Sequence, residues 1–283
     1  MAVKNYFMRF EGGKPKAFTL SYDDDTRPDI RFCEIIDKYG LKCTFNINSG
    51  LFKKDDDTSN SRTLRRTEGI EFFKKCLSNG HEIAVHGYKH PWLESLPPSM
   101  ATLDVLTDRI ELEKIFGGII RGMAYPQGTY DDDVVNCLRA CGIAYSRTTK
   151  TTDRFDIPTD WLRMPATCHH NSPKLMELAE KFVSKKKPQP QLFYVWGHAY
   201  EFDDNDNWNV IEDLAKYIGG RDDIWYATNI EIYEYIDDYN RLVFSADGQT
   251  VYNPTNRTLY FNNHHTEEQV ISIAPGETIR LDQ

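Results

Sequence analysis

Apolar residues recur along this chain in two alternating rhythms. Short β-type runs at 16–22, 41–47, 81–85, 119–125, 143–146, 191–196 and 224–227 are separated by stretches with helical spacing. The first helical stretch shows the grammar: Thr26 as cap, Pro28 in the first turn, Phe32, Ile35, Ile36 and Tyr39 on one face, and Gly40 as the stop. Further helices are expected over 68–79, stopped by Gly80, and from a Ser99 cap through Leu103, Leu106 and Ile110 to Gly117. Others are expected to start near Asp131, Pro173, Trp208 and Asn229. Seven strands in βα alternation predict an α/β fold, a distorted seven-stranded parallel (β/α) barrel.

The rhythm changes near Asn240. Beyond it, short β-like runs at 241–244, 250–252, 258–261, 269–273 and 278–281 are punctuated by Asp-Gly, Asn-Pro and Pro-Gly turns. The expected division is therefore a barrel over 1–240 and a small C-terminal β appendage over 241–283. Residues 55–66 read as a polar surface loop. Residues 147–172 read as a long connection, of the kind that often carries function.

Composition narrows the classes. At 283 residues the chain is long enough for one large domain with a small addition. A net charge of −9 argues against a nucleic-acid partner, because broad contact with phosphates needs a cationic surface. No apolar run approaches the roughly 20 residues of a membrane helix, so no membrane partner is expected. The first seven residues lack a secretory apolar stretch, and the six cysteines show no disulfide spacing; together these favour a reducing, cytoplasmic setting. The run Lys185 to Lys187 reads as a solvated helix end.

The chemistry is concentrated at strand ends. Asp23-Asp24, His86 to His90, Tyr125-Pro126 and Gly197-His198 each close a β-type run, and the C-terminal ends of barrel strands converge on one face. Asp24, His86 and His90 offer two imidazoles and a carboxylate, which leaves an open position on a hydrolytic metal ion. Zinc suits that donor set, and cobalt, nickel or iron would be accepted by it. Taken singly, each fragment also has a plain reading: polar strand ends, an acidic turn, a core histidine. Their shared position favours a site.

Five ordered segments carry a family resemblance: Ser21-Tyr22-Asp23-Asp24, His86-Gly87-Tyr88-Lys89-His90, Arg121 to Gly128, Asp160-Trp161, and Leu192 to His198. Over about residues 14–240 the chain resembles the polysaccharide deacetylase family, carbohydrate esterase family 4. The resemblance implies a divalent metal on Asp24, His86 and His90, with Asp23 as the general base toward water. It further implies a backbone N–H near Gln127 at the oxyanion, His198 protonating the leaving amine, and Asp160 orienting His198. The family usually carries an arginine immediately before the proline stretch of the third motif. Here that position is Ala124, and Arg121 is the candidate replacement.

Other residues stay open between site and scaffold. His169-His170, beside Cys168 and Asn171, could supply a ligand or a substrate contact. Tyr88, Trp92, Tyr125, Trp161 and Tyr200 could stack on sugar rings or simply pack. His264-His265 reads as a surface turn. The leading expectation is metal-dependent removal of acetyl groups from an N- or O-acetylated sugar or oligosaccharide. The alternatives are hydrolysis of a non-sugar amide on the same barrel, and a carbohydrate-binding protein without turnover.

Overall fold

The computed structural model describes residues 6–59, 61–263 and 269–281. After β1 (Tyr6–Arg9) the barrel begins with β2 (Lys16–Asp23), α1 (Pro28–Lys38), β3 (Cys43–Ile47), α2 (Arg66–Ser78) and β4 (Glu82–Val85). It continues through α3 (Pro98–Phe116), β5 (Gly122–Ala124), α4 (Asp132–Ala140) and β6 (Tyr145–Thr151). Next come β7 (Met164–Ala166), β8 (Cys168–His169), α5 (Leu175–Ser184), β9 (Gln191–Gly197), α6 (Tyr200–Asp204), α7 (Asn209–Ile218), β10 (Ile224–Tyr226) and α8 (Asn229–Asn240). The C-terminal strands are β11 (Val243–Phe244), β12 (Thr250–Tyr252), β13 (Leu259–Asn263), β14 (Val270–Ile273) and β15 (Thr278–Arg280). All seven barrel strands expected from the pattern form.

The barrel sheet is parallel throughout and runs β7-β6-β5-β4-β3-β2-β9-β8. Strand β2 is its centre, fully buried along its length. It pairs with β9 from Lys16–Gln191 to Tyr22–Gly197. On its other edge β10 takes the first residues and β3 the last, so Asp23 stands opposite Asn46. The two edges of the sheet, β7 and β8, are one stretch of chain interrupted at Thr167. The Thr167 N–H donates to the Tyr194 carbonyl at 2.8 Å, while the Thr152 N–H donates to the Ala166 carbonyl at 3.1 Å. Residues 164–169 thus run from the β6 edge to the β9 edge, and the sheet is a curled, nine-stranded one with no β7–β8 pairing among the described residues.

That bridge corrects the reading of 147–172 as a bare connection. It contains a turn of 3₁₀ helix at Trp161–Arg163 and both short strands. Three- and two-residue strands, one carrying Pro165, are too short to show a period of two.

Two helices depart from expectation in register. Thr26 does not cap α1 with its oxygen; the Asp29 carboxylate reaches back and accepts from the Thr26 N–H at 2.7 Å. In α3, Leu103 and Ile110 are exposed and the inward face is Ala101, Val105, Asp108 and Leu112. A buried carboxylate in the inward stripe shifts the apparent apolar face. By contrast α8 has a capping box between Thr228 and Glu231, and Asp131 caps α4 by accepting from the Val134 N–H.

Beyond α8 the strands form two antiparallel sheets, β1-β13-β14 and β11-β12-β15. Met8, Phe10, Ala17, Tyr235, Leu259 and Phe261 share one apolar cluster, so the C-terminal strands, β1 and the barrel bury a common core. His264-His265 lies outside the described residues. Among the described residues, no helix is long and apolar enough to cross a membrane.

Candidate active site

The parallel register delivers the ends of β2, β3, β4, β6 and β9 to one face. Where β2 stops, the Asp24 N–H donates to the Asn46 carbonyl at 3.2 Å, and the backbone turns through positive φ at Asp24 (82°) and Asp25 (41°). Where β4 stops, the His86 N–H is shared between the Ile47 carbonyl and the buried Asp108 carboxylate, each at 3.1 Å. Gly87 follows with φ 78°, where a Cβ would meet Asp104 and Pro126 at 3.1 Å. His90, at φ 53°, brings its ring back over His86. Left-handed backbone at aspartate and histidine is held only where the surroundings enforce it, and it recurs at functional sites.

The three expected ligands come together. Asp24 Oδ1 lies 3.6 Å from both His86 Nε2 and His90 Nε2, and the two nitrogens are 3.2 Å apart. Donor atoms bound to one zinc ion at about 2.0–2.1 Å in tetrahedral geometry stand about 3.3 Å apart. The tautomer also fits: His86 Nδ1 lies 2.9 Å from the Ala124 carbonyl and donates to it, leaving the Nε2 lone pair aimed at the triad. Gln127, at φ 59°, sets its side-chain amide 2.8 Å from His90 Nδ1. The same amide nitrogen donates to the His90 carbonyl at 3.3 Å, which ties the Gln127 turn to His90.

Asp23 is buried at the centre. Its Oδ1 accepts from Asn46 Nδ2 at 2.8 Å and its Oδ2 is bound by Arg147 Nη2. The same Oδ2 lies 3.8 Å from both His86 Nε2 and His198 Nε2. Burial alone would raise this carboxyl, but the Arg147 guanidinium, aided by His86 and His198, holds it below the usual carboxylate range. Arg147, 1% exposed, is packed with its guanidinium 4.3 Å from the centre of the Trp196 ring.

On the far wall one carboxylate gathers three imidazoles. Glu201 lies 3.4 Å from His198 Nδ1, 3.2 Å from His169 Nε2 and 3.0 Å from His170 Nε2. The Tyr22 hydroxyl meets His170 Nδ1 at 3.0 Å, and burial pushes the His170 imidazole down to about 4, so His170 is neutral. Gly197 is needed here, since a Cβ would fall 2.0 Å from His170 Nδ1. Burial opposes a charge on His198, but Glu201, Asp23 and Asp24 outweigh it and raise its pKa. Burial likewise raises the Glu201 carboxyl, and the three histidines more than reverse this.

Several expected residues lie elsewhere. Arg121 faces Glu234 at 3.7 Å and stacks on Tyr233, away from Asp23; Arg147 holds the carboxylate instead. Asp160 accepts from the Leu162 N–H at 3.1 Å and pairs with Arg163 at 2.8 Å, so the carboxylate beside His198 is Glu201. Trp161 packs edge-on against Tyr233 of α8. The Tyr125 side chain is core, its hydroxyl donating to the Leu162 carbonyl at 2.7 Å, and Pro126 is buried against Gly87. His169 and His170 both lie against Glu201. Tyr200 lines a cleft of about 290 Å³ with Asp24, Asn48, Leu51, Arg62 and His90.

Residues 11–146 match the family model described as polysaccharide deacetylase. The likeness to that family is carried by this part of the chain, just under half of its length. A Mycobacterium smegmatis structure classed with the polysaccharide deacetylases is 16% identical with a TM-score of 0.61, over 82% of this chain and 93% of that one. A carbohydrate esterase family 4 pseudoenzyme from Bacillus anthracis gives 16% identity and a TM-score of 0.50, over 80% and 68%. The match to a Streptococcus pyogenes deacetylase, 23% identical with a TM-score of 0.41, covers 46% of this chain and only 55% of that one. No curated protein matches the chain. At these identities the Mycobacterium smegmatis and Bacillus anthracis structures show a shared fold alone.

Proposed function

We propose that this protein is a metal-dependent hydrolase that removes acetyl groups from an N- or O-acetylated sugar or oligosaccharide. The reading is carried by one juxtaposition: an ionised, arginine-bound Asp23 beside a candidate ligand triad, with His198 and its neighbouring Glu201 carboxylate on the opposite side. Asp24, His86 and His90 would hold a divalent ion, zinc by donor type, which supplies Lewis-acid polarisation of the acetyl carbonyl and acidifies water.

The chain's own groups do the rest. Asp23 accepts a proton from the attacking water at Oδ2, and Arg147 with Asn46 keeps that carboxylate oriented. His198, held protonated by Glu201, delivers a proton from Nε2 to the departing nitrogen or oxygen. Tyr200, its ring 5.1 Å from His198, forms a wall on which a sugar ring can lie. Arg147 weakens the reading of the barrel as an inactive binder, because the arginine absent at position 124 has a counterpart on β6.

Acetate release from acetylated amino sugars, chito-oligosaccharides and acetyl-xylan tests the proposal, with zinc-loaded, chelated and Asp23→Asn protein compared. Release that requires both metal and Asp23 is expected. Equal release from chelated protein would sink the metal role. Release from a simple non-sugar amide alone, with none from any sugar, would move the substrate class.

A further inference from the structure

At the opposite end of β4 from His86, a second group of reactive side chains meets. Cys33 and Asp37 of α1 face Cys76 of α2 and His81. Cys33 Sγ lies 3.6 Å from Cys76 Sγ and 3.6 Å from His81 Nε2, while Asp37 Oδ1 lies 2.8 Å from that nitrogen. All four residues lie outside the proposed deacetylation site.

The backbone decides what this cluster can do. The Cys43 N–H donates to His81 Nδ1 at 3.1 Å, so the Nδ1 lone pair is engaged. In the neutral ring the proton then sits on Nε2. His81 Nε2 is therefore a donor, to Asp37 and toward Cys33, with no lone pair for a metal ion. The arrangement is the reverse of His86, whose Nδ1 gives its proton to a carbonyl.

A donor facing sulfur favours thiolate. Hydrogen bonds from Cys76 first, and from His81, outweigh burial and the Asp37 carboxylate, 3.7 Å from Cys33 Sγ, and bring the Cys33 thiol down to about 6, whereas Cys76 is pushed up. One thiol is thus set as nucleophile with a second in contact. Cys33 keeps 4% of its surface, and a cavity of about 350 Å³ reaches His81.

We propose that Cys33 and Cys76 are an oxidation site, converted by hydrogen peroxide to a reversible disulfide that ties α1 to α2. The Cys33 thiolate attacks one peroxide oxygen; the O–O bond breaks, hydroxide leaves, and sulfur becomes a sulfenic acid. The Cys76 sulfur then attacks the Cys33 sulfur. The S–S bond forms, and the sulfenic oxygen leaves as water with the Cys76 proton. Overall two thiols and one peroxide give one disulfide and two waters. The closed segment contains Leu51 and Arg62, which line the cleft beside Asp24, so oxidation would stiffen one wall of the candidate active site.

Reduced full-length protein is treated with hydrogen peroxide, alkylated and mapped by peptide mass spectrometry. A Cys33–Cys76 linked peptide is expected, lost on adding dithiothreitol, with a higher unfolding midpoint in the oxidised sample. In Cys76→Ser protein the linked peptide should vanish and Cys33 should be trapped by dimedone as sulfenic acid. Recovery of both residues as free alkylated thiols, or linkage between other cysteines, would overturn the proposal. So would a thiolate-to-cobalt absorption band on adding Co(II), if Cys33→Ser removes it, because the cluster would then be a metal site. The wild-type map decides even if a variant misfolds, and none of these readouts depends on deacetylation.

Discussion

Arg147 and Glu201 show what single residues contribute. The Arg147 guanidinium neutralises a carboxylate buried with it, and removing one partner of such a pair leaves an uncompensated charge in low dielectric. Arg147→Met should therefore destabilise the fold by about 3–5 kcal/mol, read by denaturant unfolding, and depress acetate release as well. Glu201 acts on pH dependence. His198 has a raised pKa, so its protonated, proton-donating form persists to higher pH than an ordinary imidazole, while Asp23, with a lowered pKa, is ionised from more acidic conditions upward. A rate profile that rises in acid and falls above the ordinary histidine range is expected. Glu201→Gln removes a neighbouring charge that holds the proton, so its falling limb should move to lower pH. An unmoved limb would separate Glu201 from His198.

Helix α3 makes the corresponding argument for elements. Asp108 lies in its inward face and accepts from the Ser49 N–H at 2.8 Å, the Ser49 hydroxyl at 2.6 Å and the His86 N–H at 3.1 Å. The helix thus pins the turn that presents His86. Asp108→Ala strands buried donors at about 1–3 kcal/mol each and should weaken metal binding about 10–100-fold by titration calorimetry. Leu103→Ala and Ile110→Ala, on the exposed face, should change stability by no more than about 0.5 kcal/mol. The apolar periodicity of α3 points the wrong way because a position needed for hydrogen bonding interrupts its inward stripe. Most strands were legible: all seven expected barrel strands and all five C-terminal ones lie where β-type residues cluster, whereas β1 was not expected. Strands β7 and β8 were not, because at three and two residues they exist only by pairing with β6 and β9.

The whole molecule is held together by contacts that join its two ends. β1 pairs with β13, and Met8, Phe10, Tyr235, Leu259 and Phe261 share a core, so the C-terminal strands cover apolar surface of the barrel. Removing residues 241–283 should uncover that surface, and loss of soluble protein is the expected outcome on expression. A truncated chain as soluble and as stable as the full one would show that the barrel needs no such cover.

Read alone, the amino-acid order determined the α/β alternation, the strand positions and the candidate ligands Asp24, His86 and His90, since each is written in local spacing or in short motifs. It also placed Asp23 and His198 at strand ends, and barrel topology guarantees that such ends converge. Which arginine meets Asp23 and which carboxylate meets His198 were decided only in three dimensions. Arg147 and Asp23 are 124 residues apart, and their pairing depends on the twist and curl of the sheet, which no local periodicity records. Glu201 is only three residues from His198, yet its role becomes visible once the short α6 turns it inward onto His169 and His170.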